Sequence, residues 1–228
     1  MSTRKERDDI TVKLSRRLRT IDTAKGTIFL LGTVKGLVSE KEIVRKAIED
    51  LDPDAIALHI SIEEIRGIEK VVKGKVKTTY LSSYEKVYAR ELTRFGEVQI
   101  PPPSLIEAYE LSRAREIPLK QLDFSDNSYS DIYTKHVNGI SMIRQSLRQK
   151  RVNRKKFRSN TPEEFCMEWD SVVNKLKAYR MLEESRERKM GDRIININKK
   201  YPDVLAIVEI ERVQGIRRRI EMILSERT

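Results

Sequence analysis

A chain of 228 residues with 39% hydrophobic side chains is long enough to bury a real core as one large domain or two small ones. Charged residues make up 36% and the formal net charge is +11, so the expected partners are anionic: nucleic acid, a membrane surface or a small anion. The lone cysteine, Cys166, excludes an intramolecular disulfide and a cysteine zinc cluster, and it reads as core packing. The opening MSTRKERDD has no apolar signal segment and no apolar run reaches the roughly 18 residues of a membrane span, so a cytoplasmic protein without a span is expected.

Residues 2 to 9 are polar and read as a loose start. From Ile10 to Ile21 the pattern ITVKLSRRLRTI partly alternates, and Thr23-Ala24-Lys25-Gly26 is a turn signal, which predicts a β-hairpin with the strand that follows. That strand, from Thr27, carries four apolar residues in a row, Ile28 to Leu31, and ends in Gly32-Thr33. Ser39-x-x-Glu42 has the form of a capping box, and Ile43, Val44, Ala47, Ile48 and Leu51 follow at helical spacing. Pro53-Asp54 breaks into a second buried strand, Ala55 to His59. Together these make one βαβ unit, whose ligand sites collect at the carboxyl ends of the strands.

Ser61-x-x-Glu64 repeats the capping form before a helix that ends near Gly74, and a further amphipathic segment runs from about Thr79 to Phe95. After Pro101-Pro102-Pro103, Ser104-x-x-Glu107 predicts a third capped helix to about Arg115, then a short strand from Pro118 to Phe124. A helix is predicted from Ser130 to Arg148, another from Thr161-Pro162 with Phe165, Trp169, Val172, Val173 and Leu176 on its apolar face, and a third from Tyr179 to Lys199. Val204 to Ile210 reads as a buried strand, and Ile216 to Leu224 as a closing helix. The class is therefore α/β: a mixed, mostly parallel sheet with flanking helices, an N-terminal β-hairpin and a helical insertion. One domain over residues 1–228 is expected, with a helical subdomain at 126–195.

The strongest charge signal is Arg148, Lys150, Arg151, Arg154, Lys155, Lys156 and Arg158, which reads either as a solvated loop or as a track for a phosphate backbone. Phe157 is the only aromatic residue there, too few for base stacking, so weak, sequence-independent nucleic-acid binding is the most to expect. Neither His59 nor His136 sits in a metal spacing, and Gly32-Thr33-Val34-Lys35-Gly36 lacks a phosphate-loop fingerprint. No metal or cofactor is expected.

Several segments together resemble the TraB/PrgY family, related to the TIKI proteases and more distantly to erythromycin esterase and ChaN-like proteins. They are the strand ending in Gly32-Thr33; PDAIALHISIEEIRGI, 53 to 68; SLIEAYELSRAREIPLKQLD, 104 to 123; SRERKMGDRI, 185 to 194; and VLAIVEIERVQGI, 204 to 216. The departures fall on the family's site motifs. Lys35 stands at the histidine of the first Gly-x-x-His, and Glu209-Ile210-Glu211-Arg212 replaces the second. His59 replaces an acidic residue, Ser185-Arg186-Glu187 with Met190 stands for Glu-Arg-Asp-x-x-Met, and only Asp123 survives of Asp-Arg-Asp.

The resemblance implies metal-dependent hydrolysis, but Lys35 and Arg212 are cations where metal ligands are needed. A degenerate, non-catalytic binding or regulatory member is therefore expected. A nucleic-acid-binding protein and a hydrolase with an unfamiliar site are the alternatives. Lys35, His59, Arg186 and Arg212 are expected at one sheet edge, either as a site for a small anion or as an ion-pair network with Glu187, Glu209 and Glu211. A homodimer is expected because two-fold assemblies are the commonest.

Overall fold

The computed structural model describes residues 4–75 and 82–226. Its order is α1 (Arg4–Arg17), β1 (Leu18–Thr23), β2 (Gly26–Thr33), α2 (Glu40–Leu51), β3 (Ala55–Leu58), α3 (Ile62–Val72), α4 (Ser83–Leu92) and α5 (Pro103–Ala114). Then come β4 (Leu119–Gln121), α6 (Asp126–His136), α7 (Gly139–Val152), α8 (Pro162–Val173), α9 (Lys177–Asn198), β5 (Val204–Glu209), a 3-10 turn (Ile210–Arg212) and α10 (Val213–Ser225). The sheet runs β1-β2-β5-β3-β4, with β1 antiparallel to β2 and every other pairing parallel. This is the α/β class expected, with the hairpin at one edge and four helices, α6 to α9, between the last two strands.

The period of two along the strands divides the core. Leu31, Ile56, Leu58, Leu205 and Ile207 face α1, α2, α3 and α5, packing on Leu14, Ile43, Ile48, Leu105 and Ala108. Ile28, Leu30, Ala57, Ala206 and Val208 face α9 and α10, packing on Met190, Ile194, Ile216 and Ile220. A third cluster, Val34, Leu37, Leu92, Val152, Phe157, Phe165 and Cys166, lies beyond the carboxyl end of β2 and joins α4, α7 and α8. This cluster gives the sheet edge a helical cap. Cys166 is buried in it, as expected.

Four local expectations change. The hairpin forms, but its first strand begins at Leu18, because residues 4–17 are helical. Ile10 and Leu14, four residues apart, pack on α2 while Arg17 completes that face, a helical spacing that the β-branched Thr11 and Val12 obscured. Ser39 makes no cap bond. Glu40 replaces it: its buried carboxylate accepts the Val34 N–H at 3.1 Å and Arg17 Nη1 at 2.6 Å. At Ser104 the expected box gives way to Pro103 at the first helical position, after Pro102. The helix expected over 130–148 is two, because Val137 is extended and Asn138 caps α7 by accepting the Ser141 N–H at 2.9 Å. The capping box expected at Ser61 forms, as does the Thr161 cap with Pro162 behind it, and Ser82 with Glu85 makes a further, unexpected box. The part of the fourth helix expected at 79–81 lies outside the described residues.

Candidate functional site

Because β2, β5, β3 and β4 are parallel, the residues that follow Thr33, Glu209, Leu58 and Gln121 emerge along one edge. Gly32 allows the chain after β5 to close on that edge: a Cβ there would meet Ile210 Cδ1 at 2.6 Å and Val213 Cγ2 at 2.8 Å. Lys35 follows β2, His59 follows β3, Arg212 closes the 3-10 turn after β5, and Arg186 reaches in from α9. The four residues picked out in the sequence meet here.

They meet through carboxylates. Glu209 Oε1 lies 3.8 Å from Lys35 Nζ and 3.7 Å from His59 Nε2. Arg186 Nε donates to Asp123 Oδ2 at 2.9 Å and Nη1 to Glu183 Oε2 at 2.8 Å. Arg212 pairs with Asp170, with Glu187 at 3.2 Å and with Glu183 at 3.4 Å. Gly215 on α10 makes that last arrangement possible, since a Cβ there would collide with the Glu187 carboxylate. Three cations thus face five carboxylates, Asp123, Asp170, Glu183, Glu187 and Glu209, with Glu211 beside them. Of the network expected with Glu187, Glu209 and Glu211, the first two carboxylates pair with the cations while Glu211 makes no ion pair among the described residues; Asp123, Asp170 and Glu183 join them, and the cluster carries an acid surplus.

Burial and these charges set the protonation states. Burial lowers the His59 pKa and outweighs the pull of Glu209, so the ring is neutral. Its Nδ1 lies 3.1 Å from the Ile207 carbonyl, which fixes the proton on Nδ1 and leaves Nε2 as a buried lone pair with no hydrogen-bond partner. Burial would raise the Glu209 pKa, but His59 when protonated, Lys35, Arg186 and Arg212 hold it down at about 2. Glu211, pushed up to about 8 by burial and by the charge of Glu209, keeps its proton at neutral pH.

A cavity of about 170 Å³ opens beside this cluster. Its apolar wall is Tyr84 and Tyr88 of α4, Trp169 of α8, and Val98, Ile100 and Pro102; Lys35, Glu209 and Glu211 form its polar end. Tyr88 meets Trp169 edge-on at 5.4 Å between ring centroids, and its hydroxyl lies 3.2 Å from Cys166 Sγ. Burial raises the pKa of both that hydroxyl and the thiol, which keeps Cys166 an unreactive packing group. Among the described residues no three His, Cys, Asp or Glu side chains converge as a metal set.

The basic tract is a different place. Arg148, Lys150 and Arg151 lie on α7, not in a loop, and the chain turns at Asn153. Arg148 Nη2 donates to the Val172 carbonyl at 2.8 Å, and Lys155 pairs with Glu168 while lying 4.8 Å above the Phe157 ring. Lys150, Arg151, Arg154, Lys156 and Arg158 are exposed, whereas Phe157 is buried. On the solvent side of α7, Ile140, Ile143 and Leu147 are each at least 60% exposed. His136 lies elsewhere, at the end of α6, with Nε2 3.2 Å from Ser185 Oγ.

No family model and no curated protein matches this chain. Sequence reasoning missed Asp170 and Glu183 as partners and Tyr84 and Tyr88 as cavity walls. Glu183 carried a signal, three residues before Arg186 on one helix face. Asp170 and Arg212 are 42 residues apart on separate elements, and nothing local links them.

Proposed function

We propose that this chain is a binding protein for a small organic molecule, built on a TraB-like α/β scaffold without the metal-hydrolase residues. The observation that carries this reading is the cavity of about 170 Å³ at the carboxyl ends of β2 and β5, apolar along its walls and lined by Lys35, Glu209 and Glu211 at one end. Ligands of open α/β sheets collect at that edge, in concave sites with few polar groups. Lys35 and Arg212 occupy the positions where the resemblance puts histidines, and neither offers a lone pair to a metal at neutral pH. The acid surplus around Arg186 and Arg212 favours a neutral or cationic ligand over a small anion.

Trp169 is the chain's single tryptophan and stands in the cavity wall. A fragment that raises the melting temperature is therefore expected to change Trp169 fluorescence, and Ala89→Phe, which fills the cavity, is expected to abolish both effects. Fragments that stabilise Ala89→Phe as well as the wild type overturn the reading. Zinc- or manganese-dependent hydrolysis of esters or peptides replaces it with the hydrolase alternative.

The five exposed cations after Gln149 support a second reading, weak nucleic-acid binding through the electrostatic field alone. Oligonucleotide anisotropy at several salt concentrations tests it; tight binding that survives high salt makes it the primary function.

A further inference from the structure

We propose that the cavity takes a small aryl or alkyl amine in its ammonium form, with the head on Glu209 and the body against Tyr84, Tyr88 and Trp169. The proposal rests on the ligand-binding reading above and adds the chemical class. Size comes first. An apolar cavity of about 150 Å³ holds one benzene, so about 170 Å³ accepts a single ring with a short polar arm.

Charge comes next. In a chain of net charge +11, the amines and carboxyls that line this cavity among the described residues are Lys35 against Glu85, Glu209 and Glu211. Glu85 is engaged in capping α4 through the Ser82 N–H at 2.9 Å, which leaves Glu209 and Glu211 at the polar end. A ligand anion would face the charge of Glu209 at neutral pH, and that of Glu211 as well once its proton is lost near pH 8.

The third observation is a missing donor. His59 is 3% exposed, its Nδ1 is committed to Ile207, and its unpartnered Nε2 points at Glu209 Oε1 across 3.7 Å. Both atoms are acceptors in this state, so neither satisfies the other. His59 is not a wall of the cavity, so a ligand head meets this pair through Glu209, which is: an ammonium donates to that carboxylate at about 2.9 Å and brings it a charge, whereas an alcohol donates one neutral bond. Lys35 does not fill the role: its ammonium stops 3.8 Å from the same oxygen on a side chain 44% exposed, so it is free to swing out as a ligand arrives. The aromatic wall completes the recognition, since ring faces attract a cation as well as an apolar body.

Proton linkage follows. Glu211 holds its proton at neutrality, and an ammonium beside it favours the carboxylate, so binding releases a proton and tightens as pH rises. The test is titration of the full chain with benzylamine, benzyl alcohol and benzoate, read by Trp169 fluorescence and calorimetry at pH 6, 7 and 8. Benzylamine is expected to bind at least tenfold more tightly than either analogue and to gain roughly tenfold or more between pH 6 and 8. Glu209→Gln is expected to lose that preference. Lys35→Met, an exposed change that leaves the fold intact, is expected to tighten benzylamine several-fold by removing the competing ammonium. If benzyl alcohol or benzoate perturbs Trp169 as strongly as benzylamine, or Lys35→Met weakens the amine, the amine assignment fails and the cavity reading survives. If none of the three probes perturbs Trp169 while other fragments do so in an Ala89-dependent way, the assignment fails on its own. If no fragment does, both fail.

Discussion

Two arginine-rich regions look alike in the sequence and are opposites in the fold. At the sheet edge, Arg186 and Arg212 are largely shielded from solvent and held by Asp123, Asp170, Glu183 and Glu187, so their charge is spent on joining α8, α9 and the chain after β5. Along the end of α7 and the turn after it, Lys150, Arg151, Arg154, Lys156 and Arg158 have no side-chain partner among the described residues and face water. Formal charge in a sequence therefore says little about charge on offer. What decides it is whether carboxylates distant in the chain arrive at the same place.

Removing a buried cation sharpens this contrast most. Arg212→Met leaves Asp170, Glu183 and Glu187 facing one another, and breaking a buried pair from one side costs about 3–5 kcal/mol. Urea denaturation is expected to report a loss of that order; a loss below about 1 kcal/mol, the value of a surface pair, would put Arg212 in the same class as the α7 cations.

The second effect is a pH dependence. Glu211 titrates higher in the fold than the 4.5 of an ordinary glutamate, so its contribution is complete below that value and is lost as pH rises towards about 8. Wild type is therefore expected to lose stability between pH 5 and 8 relative to Glu211→Gln, by several degrees in melting temperature. Parallel curves for the two proteins would place Glu211 in water.

The exposed tract supplies the small stability effects. Arg151→Glu with Arg154→Glu and Lys156→Glu should each change stability by no more than about 0.5 kcal/mol, while weak binding to an oligonucleotide disappears and its salt slope flattens. Lys155 is left out because Glu168 and Phe157 already hold it. Smallest of all is Ile143→Asp on the open face of α7: no measurable cost to the fold, but a shift from dimer to monomer in sedimentation if the expected homodimer uses that face.

Elements with strong local signals were legible. The βαβ unit from Gly26 to Leu58, the box at Ser61, the Thr161-Pro162 start and the last strand all follow from spacing and capping chemistry. Legibility failed where a tertiary partner replaced a local one. Glu40 took over from Ser39 because Val34 and Arg17 were within reach, and neither is visible from the helix itself. At Asn138-Gly139 the signal was local and was overridden by the apolar periodicity on either side. Lys35, His59 and Arg212 were legible as one cluster from strand order, and Arg186 only through the family resemblance; the carboxylates that neutralise it were only partly so, since Asp170 belongs to a helix whose pattern speaks of packing.

Arg17 donates from the end of α1 to Glu163 at 2.9 Å, a contact spanning 146 residues, and Arg212 holds Asp170 seven positions further along the same helix. Helix α8 is thus a beam pinned at both ends of a span of roughly 10 Å, with Trp169 beside the second pin. Tyr84 and Tyr88 of α4 lean on that tryptophan at 6.2 and 5.4 Å between ring centroids, and the first turn of α4 is tied to α8 by no ion pair among the described residues. The aromatic wall is therefore anchored from the α8 side, so differences in fit among ligands should be absorbed by α4 while the tryptophan stays still.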